Sequence, residues 1–246
     1  LSTVRITLKP QRPMRELSEQ EQRRREELEA LEAAHINPYP YAWGVTHHAI
    51  PVIEAFDEAT HQPDPEEPEK ERFTVSVAGR IMKKRVMGKA SFIDLQDSTG
   101  TIQVYVARDD LPEGYYNTVF KKLLDLCDIV GVDVFVFRTK TNHVTVHATR
   151  LEILSKALRP MPVVKEKEGV VYNEVTDKEF RYRQRYVDLV VNPDVRETFV
   201  KRARLISALR AFLDERGYLE VETPVLQPIY GGASARPFTT HHNALG

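Results

Sequence analysis

Five cations, Arg80, Lys83, Lys84, Arg85 and Lys89, fall within ten residues, and just downstream Phe92, Gln103 and Tyr105 stand out of phase with the aliphatic residues around them. Ile93 and Leu95 alternate with Phe92, Asp94 and Gln96, while Ile102, Val104 and Val106 alternate with Thr101, Gln103 and Tyr105. A strand with period two sends the aliphatic set to one face and Phe92, Gln103 and Tyr105 to the other. An outward ring, an outward amide and a positive edge together suit single-stranded nucleic acid. Bases stack on aromatic faces, Lys and Arg attract phosphates, and a glutamine donates to and accepts from a base edge at once. The alternative packs Phe92 under a neighbouring loop and leaves the cations as a solvated face.

The elements that must position these side chains follow from the same alternation. Val75, Val77, Gly79 and Ile81 alternate with Thr74, Ser76, Ala78 and Arg80, which predicts a strand with one buried face. Asp97-Ser98-Thr99-Gly100 supplies turn chemistry for a hairpin. If Gln96 pairs with Thr101, then Asp94 faces Gln103 and Phe92 faces Tyr105. Tyr116, Val119, Phe120, Leu123, Leu124 and Cys127 keep helical spacing, which predicts a helix with one apolar stripe and places Cys127 in packing. Strands over Ile129 to Phe137 and Val144 to Ile153, joined near Thr141-Asn142, complete five strands with a helix between the third and fourth. That order is the recipe of an OB-fold barrel, a platform for oligonucleotides.

Upstream, residues 1 to 17 read as a disordered tail. Residues 18 to 72 read as a helical extension and connector. Ser18 with Glu21 forms a capping box, and a polar helix runs from Glu19 to Ala34 with Leu28 and Leu31 as its main apolar residues, ending before Asn37-Pro38. Arg23, Arg24 and Arg25 could touch nucleic acid, but their Glu neighbours favour a solvated, salt-bridged helix. His47-His48 lacks a third ligand at metal-binding spacing and is read as no metal site. The barrel occupies residues 73 to 154 and a proline-bearing linker residues 155 to 175. Beyond it, Thr176 with Glu179 and Asp194 with Glu197 are two further capping boxes. Phe199, Ala203, Ile206, Leu209 and Leu213 then mark a long amphipathic helix that stops at Gly217. A short strand from Tyr218 to Glu222 is expected to run into Pro224. Gly231-Gly232 could bring backbone close to a ligand, though it matches no phosphate-binding loop and reads equally as a loop.

Composition bounds the partners. At 246 residues two domains are expected, and 41% hydrophobic with 29% charged residues is an ordinary globular balance. A net charge of -1 means that nucleic-acid binding must come from a local patch. The single cysteine, Cys127, excludes an intramolecular disulfide and a multi-cysteine zinc site. With no run of about 18 apolar residues and no signal-peptide core, a cytoplasmic protein is expected.

The stretches VAGRIMKKRVMGKASFIDLQD, YYNTVFKKLLDL, RYRQRYVDLVVNP, FLDERGYLEVETPVLQPIYGGASARPF and THHNAL resemble the N-terminal half of class II lysyl-tRNA synthetases, over essentially Ser18 to Leu245. The resemblance implies a mixed fold, a five-stranded OB barrel with flanking helices followed by the start of an α+β catalytic domain on an antiparallel sheet in residues 176 to 246. It implies that the barrel binds the tRNA anticodon through Arg85, Phe92 and Gln103. The helix from Val195 and the strand into Pro224 resemble the first class II signature motif, which implies a homodimer with Phe199, Ile206 and Pro224 in the interface. Gly232 matches a glycine whose backbone lies against the substrate lysine. The implied reaction joins lysine and ATP into lysyl-adenylate with Mg2+, then passes lysine to tRNA(Lys). The second and third signature motifs, with the ATP-binding arginines, the metal ligands and the lysine-recognising carboxylates, would lie beyond Gly246. No catalytic residue and no metal ligand is therefore expected in this chain. A sheet cut after its first strand cannot bury its apolar face, so the natural protein is expected to continue. A non-catalytic tRNA-binding and dimerisation module, and an aspartyl or asparaginyl relative, are the alternatives.

Overall fold

The computed structural model describes residues 16–63, 72–162, 165–167, 170–172, 175–224, 240–241 and 243–244. The chain divides into two units between Glu174 and Val175. In the first, helix α1 (Glu19–Ala33) precedes the short helices α2 (Ala49–Ala55) and α3 (Glu58–His61). Strands β1 (Thr74–Met87), β2 (Ala90–Gln96), β3 (Thr101–Ala107), β4 (Ile129–Arg138) and β5 (Val144–Ser155) then close a barrel in the order β1-β2-β3-β5-β4. All neighbouring strands are antiparallel except β3 and β5.

The barrel closes because alternate residues of every strand are aliphatic and meet inside. Val77, Ile81, Ile93, Val104, Val132, Val136, Val146 and Ile153 are all buried. The hairpin adopts the expected register, with Gln96 opposite Thr101, Asp94 opposite Gln103 and Phe92 opposite Tyr105. Asp97 holds its turn by accepting from the backbone of Thr99 at 2.7 Å and of Gly100 at 3.0 Å. The same carboxylate accepts from Ala49 N at 2.8 Å, so it also caps α2, which has no side-chain cap of its own. Burial pushes the Asp97 carboxyl up, but these donors outweigh it and hold it below its ordinary value.

Several expected elements differ. The helix over residues 116 to 127 is a single π turn, Tyr116–Phe120, followed by turns. Lys84 ends it by donating to Phe120 O at 2.5 Å and Leu124 O at 2.6 Å. Cys127 is buried as expected but lies in a turn at φ 78°, donating to Ile81 O at 2.7 Å. Residues 39 to 63 are more than a connector. Trp43 lies so close on Gly131 that a Cβ there would come within 2.4 Å of the indole, and Thr46 N donates to Ser76 O at 2.9 Å.

Nor is α1 simply solvated. Its capping box forms as expected between Ser18 and Glu21, but Glu21, Arg24 and Glu27 are buried against the barrel. Arg24 donates to Leu126 O at 3.0 Å and to Ala157 O at 2.7 Å, because the carbonyls between barrel elements need donors that an apolar helix could not give. The linker begins with a fully buried side chain, Lys156, and includes a small hairpin of β6 (Lys165–Lys167) and β7 (Val170–Tyr172).

In the second unit α4 (Lys178–Arg183), α5 (Arg185–Val191) and α6 (Pro193–Asp214) follow one another. Asp177, not Thr176, caps α4 by accepting from Glu179 N and Phe180 N. Asp194 lies inside the first turn of α6 because Pro193, whose φ is preset for a helix, starts it two residues earlier than expected, with Asn192 at the N-cap. Arg181 and Arg185 both pair with the buried Asp188, which fastens α4 to α5. The long helix stops at Gly217, at φ 79°, as expected. Residues 218–222 are not a strand: they are exposed coil, since a strand needs a paired neighbour and none flanks them among the described residues. The antiparallel sheet expected for this unit has no counterpart among the described residues.

Candidate nucleic-acid interface

The outer face of β1, β2 and β3 gathers the three side chains singled out above. Phe92 lies opposite Tyr105 on β3 and opposite Arg85 on β1. Arg85 reaches this face through a bulge. The pairing register of β1 slips between Ile81 and Lys83, so Met82 is an extra residue and the alternation inverts after it. Without the bulge Arg85 would share the inward phase of Ile81. With it, Lys84 turns to the carbonyls of the π turn while Arg85 and Lys83 stand outside.

Phe92 is half-buried. Its ring packs on Tyr105 with centroids 5.3 Å apart, not under a loop. Gln103 faces Asp94 across the hairpin and Thr145 on β5, whose hydroxyl lies 3.1 Å from Gln103 Oε1 and restrains the amide. Arg85 and Gln103 line an open cleft of about 580 Å³ together with Lys83, Arg138, Asn142 and His143. Lys83 is 3.5 Å from Asp94 and Arg138 is 2.9 Å from Glu58, which partly neutralises those two walls beside Arg85. A flat ring beside a cationic, amide-bearing cleft can stack one base and contact the phosphate or base edge next to it.

Arg138, Asn142 and His143 were not among the residues the sequence reading selected. They lie at or beside the β4–β5 turn, which closes over the site only when the barrel forms. His47 and His48 serve packing: His47 meets the edge of Phe73 at 5.6 Å and His48 Nδ1 lies 3.2 Å from Asp97. Among the described residues no three His, Cys, Asp or Glu side chains converge to hold a metal ion. No helix among them is long and apolar enough to cross a membrane.

Residues 75–154 match the family of OB-fold nucleic acid binding domains termed tRNA anti-codon, and residues 177–246 match class II tRNA synthetases (D, K and N). The chain is 51% identical over 235 residues to a lysine–tRNA ligase of Porphyromonas gingivalis, covering 94% of this chain and 39% of that protein. The enzyme of a second strain is 50% identical over 234 residues. That of Azobacteroides pseudotrichonymphae is 47% identical over 234 residues, covering 93% of this chain and 45% of that protein. Over nearly its whole length the chain is therefore similar to lysine–tRNA ligases. It spans about two fifths of the length of the first of these relatives.

The remaining positions that the resemblance implies are placed unevenly. Phe199 and Ile206 are exposed on α6 at 39% and 40%, within a helix that has no buried residue among those described. Pro224 is at the surface past the helix. Gly232 lies outside the described residues.

Proposed function

We propose that this chain is the anticodon-reading and subunit-pairing part of a cytoplasmic lysine–tRNA ligase. Lysine, ATP and tRNA(Lys) are the substrates of the whole enzyme, lysyl-adenylate forms first, and lysine then passes to the tRNA terminus. The observation that carries this reading is the bulge at Met82, which brings Arg85 beside Phe92 on the face where Gln103 lines the cleft. In this reading Phe92 stacks on an anticodon base, Gln103 contacts a base edge, and Arg85 contacts the phosphate or the base beside it. The apolar face of α6, with Phe199, Ile206 and the segment ending at Pro224, meets the same surface of a second copy. The Gly232 backbone lies against the substrate lysine. Mg2+ would serve the ATP phosphates in this reading, with its ligands in the second and third signature motifs.

The test is binding of a stem-loop carrying the lysine anticodon against one whose central uridine is replaced. The reading expects at least a tenfold loss on replacement, in line with about 1 to 3 kcal/mol per recognised base. Equal affinity for both loops would remove it.

A further inference from the structure

The aromatic surface does not end at Tyr105. Following the pairing register round the barrel, Arg85 on β1 lies opposite Phe92 on β2, Phe92 opposite Tyr105 on β3, Tyr105 opposite His147 on β5, and His147 opposite Phe135 on β4. Four ring-bearing residues on four adjacent strands thus stand in one transverse row. Their centroids are separated by 5.3 Å from Phe92 to Tyr105, 5.0 Å from Tyr105 to His147 and 4.6 Å from His147 to Phe135. Each is half-buried, so each keeps part of its ring open. Phe137 backs the row from the next outward position of β4, 6.2 Å from Tyr105 and 5.9 Å from His147.

The far end of the row is cationic. The guanidinium of Arg72 lies over the Phe135 ring at 4.6 Å. Asp110 Oδ2 is 2.6 Å from His147 Nε2, which fixes the imidazole plane. Core packing does not account for these types. The inward neighbours Val134, Val136 and Val146 already fill the barrel, and an outward cross-strand ring pair adds only about 0.2 to 1 kcal/mol.

We propose that this row is an extension of the RNA-binding surface, on which nucleotides of the tRNA loop adjoining the anticodon stack against Tyr105, His147 and Phe135 while Arg72 contacts their phosphates. The inference rests on the anticodon reading above, because Phe92 belongs both to the proposed anticodon site and to the row. The ligand is RNA because the row continues that site without a break. It ends on a stacked guanidinium, and stacked rings with a flanking arginine bind single-stranded bases with little regard to sequence. Base identity is thus read at Gln103, and the row adds affinity.

The experiment uses the full chain and a stem-loop carrying the lysine anticodon, intact or with a single loop base removed at each position outside the triplet. The double variant Phe135→Leu/His147→Leu keeps aliphatic bulk but removes both rings, and Arg72→Ala changes only an exposed side chain. The intact loop should bind about tenfold more weakly to the double variant. Removing one particular flanking base should weaken binding to the parent but not to that variant. Phe135→Tyr should bind as the parent does, and Arg72→Ala should bind more weakly with a smaller salt dependence. If Phe92→Ala weakens binding while the double variant and Arg72→Ala both bind within twofold of the parent, the extension is wrong and the anticodon reading stands. If Phe92→Ala also binds unchanged, both fall. Should the double variant unfold, Arg72→Ala and the base-removal series on the parent decide alone: no loss in either overturns the extension.

Discussion

The ammonium of Lys156 lies 3.1 Å from the carboxylate of Asp128, and neither side chain is reached by solvent. The same nitrogen is 2.9 Å from Glu27 on α1 and 3.1 Å from Asp125, and it donates to Leu123 O at 2.7 Å. One cation just past β5 therefore joins the helical extension to the turn that leads into β4. Burial pushes the Lys156 ammonium down, but Asp128, Glu27 and Asp125 outweigh it and hold it above its ordinary value. Removing it takes the cation from the fully buried Asp128 and from Glu27 and Asp125, the latter two keeping Arg23 and Arg24 nearby. Lys156→Met should cost about 3 to 5 kcal/mol in chemical denaturation and expose the α1 amides to hydrogen exchange. A loss below about 1 kcal/mol would show that the cluster relaxes into water.

Phe92 and Ile93 are neighbours with opposite tasks. Ile93 has no exposed surface, so Ile93→Ala should lower stability by about 2 to 5 kcal/mol. Phe92→Ala loses the contact with Tyr105, worth about 1 kcal/mol, and should instead weaken stem-loop binding by about 1 to 3 kcal/mol. Thermal midpoints and affinities measured side by side separate the two. Loss of stability without loss of binding in Phe92→Ala would make it a core residue.

Arg85→Ala should also weaken the stem-loop complex. If Arg85 meets only a phosphate, the slope of log affinity against log salt should shrink by about one unit with base preference unchanged. A change in preference for the anticodon bases would instead assign it to a base edge.

The face of α6 is a liability unless it is covered. Leu205, Leu209 and Phe212 are exposed at 71%, 58% and 50% beside Phe199 and Ile206. Ile206→Asp and Leu209→Asp should each convert dimers to monomers in light scattering, with the barrel's thermal transition unchanged. A dimer that survives both substitutions would place the subunit contact elsewhere.

Burial pushes the Lys84 ammonium down to about 8 from 10.5, against the pull of Asp125 and Asp128. The unfolded chain then holds a proton that the folded chain has released, so this group adds stability as pH rises from about 8 to 10.5. The stability of the parent relative to Lys84→Met should grow across that window. A difference that stays flat would mean that Lys84 keeps its proton on the carbonyls of Phe120 and Leu124.

What the sequence determined by itself is the set of local regularities. Period-two alternation in residues 90–107 specified the hairpin, its register and the outward faces of Phe92 and Gln103, because neighbouring side chains in a strand must point oppositely. Ser18 with Glu21 located the start of α1, and the order of strands with an expected helix between the third and fourth indicated a five-stranded barrel. The tertiary structure decided what local periods cannot carry. Arg85 has the same parity as the inward Ile81, and only the extra residue at Met82, fitted against β2, turns it to the side of Phe92. His147 comes to the edge of Tyr105, and Phe135 to His147, because β5 inserts between β3 and β4, parallel to β3, a pairing between segments about 40 residues apart in sequence. Lys156 falls in the linker by sequence, and only barrel closure and α1 surround it with three carboxylates, Glu27 from the helix and Asp125 and Asp128 from the turn before β4. Each of these depends on which distant backbone lies alongside, which is set by closure of the barrel and not by the spacing of residues along it.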